Sequence, residues 1–314
     1  MYKIGLIGIG GLGIRHLQAL TNLKDEYEIY GVDLNTEIIE NLRFQYKNIN
    51  FYTNIADLPD ELAVVIIATT SNVRRNVFEE LIYTKKVSNI IFEKFLFQFE
   101  EDYEYVEKEI KKRNIKAWVN CPRREYNSFN MLKERLKSQN INSIIISGGD
   151  WAFGSNCVHF LDLIEFLTNS ENIDIMAPFL QGPIIESKRK GFYEFYGMII
   201  GKCGNCDFII KCYDNSNTPV TINIETDCEN ILINESEQKI IFFNVDNKWN
   251  GSNEKFEVPY ISQLTDKIIK KIVKEHDCSL PTYESSMKTH LLIFKYIKDL
   301  FKSNGMEKCE CPVT

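Results

Sequence analysis

A glycine-rich turn near the N-terminus constrains the fold of this chain more than any other feature. The apolar stretch 4–7 runs directly into Gly8-Ile9-Gly10-Gly11-Leu12-Gly13, and residues 14–20 continue with helical spacing. This order predicts a strand, a tight turn and a helix start. Gly8 permits the turn, Gly10 leaves room for a pyrophosphate beside the backbone, and Gly13 lets the helix pack close to the strand. The pattern predicts a nicotinamide or flavin dinucleotide site; a glycine turn without a ligand is the alternative.

An acidic residue after the next predicted strand supports this interpretation. Asp33 follows the strand-like residues 28–32 and lies about 20 residues beyond Gly13, the distance at which an acid hydrogen-bonds the adenosine ribose. A carboxylate at this position also repels a 2′-phosphate, because two negative charges in contact are unfavourable. NAD is therefore the predicted cofactor, in preference to NADP.

The remaining pattern predicts two domains and an α/β fold class. Strand-like and helix-like segments alternate through residues 1–121, which is typical of a Rossmann doubly wound parallel sheet. In residues 122–314 strand-like segments joined by short turns dominate, which favours a C-terminal α+β domain with a large, mostly antiparallel open sheet. The strands predicted there are 143–148, 192–202, 206–213, 219–225, 229–234, 238–245 and 254–258, and the helices are 126–138, 157–168, 260–275 and 284–302.

Composition and charge exclude several classes of function. The 314 residues include 37 basic and 44 acidic side chains, a formal net charge of −7, which disfavours non-specific binding of nucleic acid. No apolar run approaches the roughly 20 residues that span a bilayer, and we expect no signal sequence, because the first predicted strand is short and runs directly into the glycine turn. Nine cysteines, an odd number, indicate reduced thiols. We therefore expect a cytoplasmic protein that acts on a small molecule, with no membrane or nucleic-acid partner.

Two polar segments follow buried strands of the predicted Rossmann sheet. Residues 63–67 lead through Ala68 into Thr69-Thr70-Ser71-Asn72, and residues 89–92 lead into Glu93-Lys94. Both segments are predicted to line the cofactor site, because ligands of open parallel sheets bind beyond the carboxyl ends of the strands. A lysine placed there can donate to a substrate hydroxyl or carbonyl. The alternatives are a helix N-cap at Ser71 or Asn72 and a solvated surface pair at Glu93-Lys94.

The second domain offers one candidate for acid–base chemistry. Trp151, Ser155 and Asn156 precede His159, which lies early in the predicted helix, and Asp162 follows three residues later. His159 and Asp162 can touch on one helix face, and an imidazole beside a carboxylate suits proton transfer near neutral pH. The neighbouring residues are predicted to contact substrate. A structural histidine is the alternative.

Two arginines follow the sixth predicted strand of the first domain. Arg123 and Arg124 could bind a substrate carboxylate or phosphate through paired N–H groups. Alternatively, one of them forms an interdomain ion pair.

A cysteine pair raises the question of a metal site. Cys203-Gly204-Asn205-Cys206 has the spacing of half a zinc site. However, Gly-Asn between two strand-like runs is typical of a two-residue hairpin turn. We favour the hairpin and predict no metal site.

In combination these motifs resemble the Gfo/Idh/MocA family, the glucose–fructose oxidoreductase and inositol dehydrogenase group. The resemblance covers the whole chain and includes the glycine turn with His16, residues 68–72, Glu93-Lys94, Arg123-Arg124 and residues 159–162. It implies a Rossmann domain, a second domain whose open sheet often mediates oligomerisation, and NAD(P)-linked oxidation or reduction of a sugar, cyclitol or sugar nucleotide. Lys94 matches the lysine of the family's Glu-Lys-Pro motif, and His159 matches its proton-transferring histidine. Residues 120–124 and 311–314 resemble members associated with bacterial surface-polysaccharide synthesis.

Three departures from the family pattern concern the substrate site. Phe95 replaces the proline of Glu-Lys-Pro, where a cis peptide commonly positions the lysine. Ser155 stands where the family usually has an Asp that touches substrate, and Arg74 stands where many members have His. Cofactor binding tolerates these changes, whereas the identity of the substrate and catalytic competence depend on them.

The resulting hypothesis is an NAD-dependent dehydrogenase or reductase that acts on a CH–OH group of a sugar-like substrate, as a homodimer or homotetramer. Lys94 and His159 bracket the reacting oxygen, and His159 exchanges the hydroxyl proton while a hydride moves to or from nicotinamide. Two alternatives are a regulatory protein that senses the dinucleotide on the same fold, and a non-redox enzyme that recycles NAD.

Overall fold

The computed structural model describes residues 1–306 and 310–314, and these form two compact units. The first unit comprises Met1–Pro122, Pro259–Ser286 and Thr314, and the second comprises Arg123–Val258 and Met287–Val313. The segment Pro259–Ser286, which lies inside the predicted second domain, is therefore part of the first unit. Whether residues 1–121 and 122–314 are independent domains stays a prediction.

The described residues form fourteen strands and eight α-helices. The strands are β1 Tyr2–Ile7, β2 Tyr27–Val32, β3 Asn50–Tyr52, β4 Glu61–Ile67, β5 Lys86–Phe92, β6 Lys116–Val119, β7 Ile141–Gly149, β8 Ile173–Glu186, β9 Tyr193–Cys203, β10 Cys206–Tyr213, β11 Thr221–Thr226, β12 Glu229–Asn234, β13 Lys239–Asn244 and β14 Ser252–Lys255. The helices are α1 Gly13–Leu20, α2 Thr36–Gln45, α3 Ser71–Thr84, α4 Glu100–Lys112, α5 Asn127–Leu136, α6 Phe153–Thr168, α7 Thr265–Glu275 and α8 Tyr283–Ser303.

The sheet of the first unit is the predicted Rossmann sheet. Its six strands are parallel and have the order β3-β2-β1-β4-β5-β6, so the strand order reverses between β1 and β4. Residues 64–67 of β4 are completely buried, as expected of a central parallel strand that is covered on both faces. The doubly wound fold predicted from the alternation of elements is confirmed.

The sheet of the second unit has eight strands, in the order β14-β13-β12-β11-β7-β10-β9-β8. Only β7 and β10 pair in parallel, and the other neighbours are antiparallel. One face packs against helices, with α6 against β9 and β10. In β12, Ile231 and Ile233 are buried while Asn230 and Leu232 are half-buried, the alternation of a sheet with one open face. The predicted mostly antiparallel open sheet is confirmed.

The sequence analysis missed the edge strand of this sheet. Strand β8 contains Pro178 and Pro183, and proline has no N–H to give to a strand ladder. An edge strand tolerates proline because one side of its backbone is unpaired, and β8 lies at the edge. Only the pairing of β8 with β9 in the structure shows that β8 belongs to this sheet.

Several further elements differ from their predicted bounds, and helix α7 begins at Thr265, five residues after the predicted start. Helix α6 begins at Phe153, four residues before the predicted start, because its first turn is held by a contact from another strand that is described below. Strand β14 ends at Lys255, where the prediction extended to residue 258. None of the described helices is both long and apolar enough to cross a membrane.

The cysteine pair lies on a hairpin, as predicted. Cys203 ends β9, Cys206 begins β10, and the two face each other across the turn, in which Gly204 has a φ of +57°. Among the described residues, no group of three or more His, Cys, Asp or Glu side chains is arranged to hold a metal ion.

Candidate functional site

The glycine turn lies at the carboxyl end of β1, and each glycine there meets a different constraint. Gly8 has a φ of +89°, which an L side chain rarely adopts. A Cβ on Gly13 would lie 2.0 Å from the Gly8 carbonyl oxygen, so the helix approaches the strand as closely as only glycine allows. Around Gly10 and Gly11 no atom lies within 4 Å of a Cβ position. The turn therefore leaves an open cradle beside bare backbone at the start of α1.

Asp33 is tied to this cradle. Its Oδ2 accepts a hydrogen bond from the Ile9 N–H at 2.7 Å, and its Oδ1 accepts one from the Asn35 N–H at 3.0 Å. A carboxylate offers about four lone-pair sites, so two backbone bonds leave capacity for ribose hydroxyls. The carboxylate is thereby oriented at the carboxyl end of β2, beside the turn.

The polar segment after β4 also borders the turn. Thr69 contributes a buried Oγ1 that has no hydrogen-bond partner among the described residues, and a Cβ on Gly8 would lie 2.9 Å from Thr69 Cγ2. Thr70 donates to the side chain of Asn72 at 2.7 Å. A buried hydroxyl without a partner is costly, so a bound polar group would satisfy Thr69. The cradle, Asp33 and Thr69 together fit a dinucleotide.

The alternative of a helix N-cap at Ser71 or Asn72 is wrong. Helix α3 begins at Ser71, so its N-cap position is Thr70, and no side chain caps it. The Ser71 N–H instead donates to Thr314 Oγ1 at 3.0 Å. A tertiary contact thus satisfies a helix-end donor that local sequence chemistry would have assigned to a cap.

The segment after β5 is held by buried polar groups. Glu93 is 2% exposed, and its carboxylate is bonded to His16 on α1 and to the Asn120 side chain. The Lys94–Phe95 peptide bond is cis, the form that the resemblance associates with the Lys-Pro bond. Glu93 and Lys94 are therefore not the solvated surface pair that the sequence left as an alternative, because Glu93 is buried and Lys94 is half-buried.

Arg74 is a structural residue that the sequence did not reveal. It is 1% exposed, and its guanidinium donates to the carbonyl oxygens of Thr69, Phe95 and Leu96. It thus joins the segment after β4 to the segment after β5. The planar fork of five N–H donors explains why an arginine fits this position.

In the second unit the predicted substrate residues surround the start of α6. Asp150 and Ala152 have positive φ values of 44° and 59°, which turn the chain sharply between β7 and α6. The Trp151 indole N–H donates to the Lys211 carbonyl oxygen at 3.1 Å, and the Asn156 side chain donates to the Trp151 carbonyl oxygen at 2.9 Å. This loop is therefore fixed on both sides of Trp151.

A carboxylate from β9 holds the first turn of α6. Glu194, which is 8% exposed, accepts the Ser155 N–H at 3.1 Å and also the Ser155 hydroxyl. A Cβ on Gly154 would lie 2.9 Å from Glu194 Oε2, so glycine is needed for this approach. The sequence analysis missed Glu194, because nothing local links residue 194 to residue 155. His159 lies one helical turn beyond Ser155 and is half-buried.

The two predicted arginines both form ion pairs inside the second unit. Arg123 makes a two-pronged pair with Glu235, at 2.9 and 2.7 Å. Arg124 binds Asp162 through Nε at 3.0 Å and through a terminal nitrogen at 2.8 Å. Both ion pairs lie within one unit, so the alternative of an interdomain ion pair is wrong. Their contact with substrate stays a prediction, as does a contact between His159 and Asp162.

Asp162 and Glu165 form a buried acidic pair next to Arg124. Burial raises the pKa of Asp162 to about 6 against the opposing charge and hydrogen bond of Arg124. Burial, and then the charge of Asp162, raise the pKa of Glu165 to about 7, although Thr289 donates to its carboxylate. Near neutral pH this helix therefore contains a carboxyl group that is partly protonated.

Glu165→Gln is expected to change how stability depends on pH. The folded-state pKa of Glu165 lies above its unfolded value, so its contribution is fully present below about pH 4.5 and is lost as the pH rises through about 7. Relative to wild type, the variant should gain about 3 kcal/mol of unfolding free energy between pH 4.5 and pH 8. Urea unfolding at both pH values measures this gain. Glu134→Gln, at an exposed site on α5, is the control, and equal gains in the two variants would contradict the argument.

Fold and site together define a Rossmann-type protein with an open glycine turn beside an oriented carboxylate. Residues 2–121 match the family model GFO_IDH_MocA, described as an oxidoreductase family with an NAD-binding Rossmann fold. The match covers the part of the chain that forms the Rossmann sheet. No curated protein matches the chain.

Solved structures extend the likeness in fold to the whole chain. Levoglucosan dehydrogenase in complex with NADH and levoglucosan is 16% identical, with 93% of this chain and 95% of that chain covered at a TM-score of 0.76. UDP-N-acetylglucosamine 3-dehydrogenase from Acidithiobacillus ferrooxidans is 11% identical, with 92% and 94% covered at 0.70. A super-repressor mutant of Gal80p from Saccharomyces cerevisiae is 16% identical, with 97% and 96% covered at 0.75. At such identities these similarities establish the fold and not the substrate.

Proposed function

We propose that the protein is an NAD-dependent oxidoreductase acting on a secondary alcohol or ketone of a sugar, cyclitol or sugar nucleotide. The open cradle at Gly10 and Gly11, bordered by the oriented carboxylate of Asp33, carries the proposal. The family match over residues 2–121 supports it, as does the likeness to two dehydrogenases that act on sugar-type molecules according to their names. The resemblance of residues 120–124 and 311–314 favours a place in bacterial surface-polysaccharide synthesis.

Each predicted residue has a role in this proposal. Residues 8–13 seat the pyrophosphate, Asp33 binds the adenosine ribose, and Thr69, Thr70 and Asn72 with Glu93 complete the seat. When bound, nicotinamide supplies the group that accepts or gives the hydride. Lys94 donates a hydrogen bond to the reacting oxygen, and His159 takes or returns the hydroxyl proton. The residues proposed to form the substrate side are Trp151, Ser155, Asn156, Asp162, Arg123 and Arg124.

Asp33→Asn is expected to relax the choice of cofactor. The amide keeps an oxygen for the Ile9 N–H but loses the charge that repels a 2′-phosphate. We expect NADPH to bind at least tenfold more tightly than to wild type, and NADH about tenfold more weakly, because hydrogen bonds to a charged group are worth about 1.5–3 kcal/mol. Fluorescence titration of both cofactors measures this change. Asp57→Asn is a control outside the cradle, and unchanged NADPH affinity in Asp33→Asn would remove Asp33 from its role.

The decisive experiment separates this proposal from its two alternatives. NADH binding is measured by fluorescence, and the complex is then screened by thermal shift and turnover against sugars, cyclitols and UDP-, GDP- and CMP-sugars, since a true ligand stabilises the folded state by mass action. Net NADH formation or consumption supports the proposal. Absence of NADH binding overturns it. Binding without any turnover favours a regulatory sensor, and turnover without net NADH favours recycling of the cofactor.

We also propose that the chain forms a homodimer or homotetramer through the open face of the second sheet. A row of half-buried apolar side chains crosses this face: Ile200, Ile209 and Ile145 are in register, and Leu232 and Ile241 continue the row beyond Asn223. Burial of such a row in a second copy would be favourable by the hydrophobic effect. Light scattering tests this assembly, and a monomer at micromolar concentration would contradict it.

A further inference from the structure

A buried hydrogen-bond network connects α1 to the residue directly before Lys94. His16 and Glu93 are each 2% exposed. His16 Nε2 lies 2.8 Å from Glu93 Oε1, and His16 Nδ1 lies 2.8 Å from Thr265 Oγ1. The Asn120 side-chain N–H donates to the same Glu93 oxygen. The network therefore joins the helix that begins at the glycine turn to the carboxyl ends of β5 and β6.

The donors and acceptors of this network determine where its protons lie. The Thr265 hydroxyl donates its proton to the Ile261 carbonyl oxygen at 3.1 Å, so it must accept from His16 Nδ1, which therefore carries a proton. At the other end of the ring, one further proton lies between His16 Nε2 and Glu93 Oε1. The two side chains share this proton.

The groups around Glu93 favour its carboxylate form. Burial by itself would raise the pKa of Glu93, but the hydrogen bond and charge of His16 outweigh it. Together with Asn120 and Lys94, they hold the pKa of Glu93 below its ordinary value. Glu93 is therefore a carboxylate, which accepts hydrogen bonds from the His16 ring and from the Asn120 side chain. Lys94 acts on it as a further positive charge.

The backbone on the other side of Lys94 is fixed as well. Arg74 donates to the carbonyl oxygens of Phe95 and Leu96, the two residues that follow the lysine. Lys94 thus lies between a residue anchored through its carboxylate and two residues anchored through their carbonyls. Its own side chain is half-buried, so it is the part of this segment that is accessible from solution.

We propose that His16 and Glu93 act as one positioning unit for Lys94: a proton-sharing pair that fixes the end of β5 to α1 and holds the lysine ammonium beside a carboxylate. The proposal rests on the proposed function, because Lys94 is assigned there to the reacting oxygen. It gives His16 a role beyond packing. Since α1 begins at the cradle, the same pair would keep the cofactor seat and the lysine in one fixed arrangement.

The test measures the chemical reactivity of Lys94 in the protein without cofactor. Only the neutral amine reacts with acetic anhydride, so brief labelling at pH 8 with mass-spectrometric peptide mapping reports how strongly the ammonium form is favoured. Glu93→Gln removes the neighbouring negative charge, and Lys94 labelling should rise about three- to tenfold. His16→Gln removes the shared proton and leaves the carboxylate without it, so labelling should fall about threefold or more.

Opposite responses separate this role from simple loosening of the structure. If the pair only stabilised the fold, both variants would expose Lys94 and raise its labelling; that result, or no change in either, overturns the proposal. The controls are Glu109→Gln, a buried carboxylate paired with Arg113 in the same unit, and His276→Gln. Both should leave Lys94 labelling within about twofold of wild type.

Wild-type protein provides a second test that needs no variant to fold. Nitrogen-15 NMR of the assigned histidine rings should find a proton on His16 Nδ1 and a hydrogen-bonded proton between Nε2 and Glu93, and the absence of either proton overturns the proposal. Neither measurement uses NAD or substrate. If NADH does not bind, the proposed function fails while these experiments still decide whether the His16–Glu93 pair controls Lys94.

Discussion

His159→Ala is expected to lower kcat at least a hundredfold while the Kd for NADH stays within about threefold of wild type. A positioned acid–base group contributes roughly 10²–10⁴-fold to turnover, and alanine can neither take nor return the hydroxyl proton. His159 lies on α6, in the second unit, whereas the proposed cofactor seat belongs to the first unit. The loss should therefore appear in the chemical step and not in cofactor binding.

The measurement is steady-state kinetics with a substrate identified by the screen, together with fluorescence titration of NADH. His276→Ala is the matched control, because His276 is an exposed histidine at the C-terminal end of α7. Its kcat should remain within about twofold of wild type. A His159→Ala variant with near-normal kcat would exclude His159 as the acid–base residue.

Gly10→Ala and Gly13→Ala are expected to fail in different ways. No atom lies within 4 Å of a Cβ on Gly10, so Gly10→Ala should fold with an unfolding temperature close to that of wild type. The new methyl group would occupy the cradle, and NADH should bind at least thirtyfold more weakly. A Cβ on Gly13 would lie 2.0 Å from a backbone oxygen, so that variant must displace α1 from β1 and should lose much of its stability.

Thermal unfolding and NADH titration of the two variants separate the two kinds of damage. Gly191→Ala would be a poor control because of its positive φ of +81°, whereas Gly251 has an ordinary φ and lies in the second unit. Gly251→Ala should leave NADH binding unchanged. If Gly10→Ala binds NADH as wild type does, no pyrophosphate lies against Gly10, and the proposed cofactor site is wrong.

Local sequence patterns were sufficient to predict the sheet of the first unit. Uninterrupted apolar strands alternate there with helices, and a glycine turn followed by an acid has the same meaning wherever it follows a first strand. The sequence did not predict the proline-containing strand β8, because a proline is compatible with a strand only at the edge of a sheet. The sequence also did not predict that Pro259–Ser286 belongs to the first unit, because no local pattern indicates which unit a helix packs against.

The sequence by itself determined the Rossmann order, the hairpin at Cys203–Cys206 and the identity of the candidate cradle, acid, lysine and histidine, because each depends on neighbours within a few residues or on a regular spacing. Only the tertiary structure decided which groups contact them: Glu194 bonds to Ser155, Arg74 bonds to the segment after Lys94, and His16 bonds to Glu93. These contacts join residues 21 to 77 positions apart. A buried charge or donor can find its partner anywhere along the chain, so its partner is fixed by packing and not by spacing.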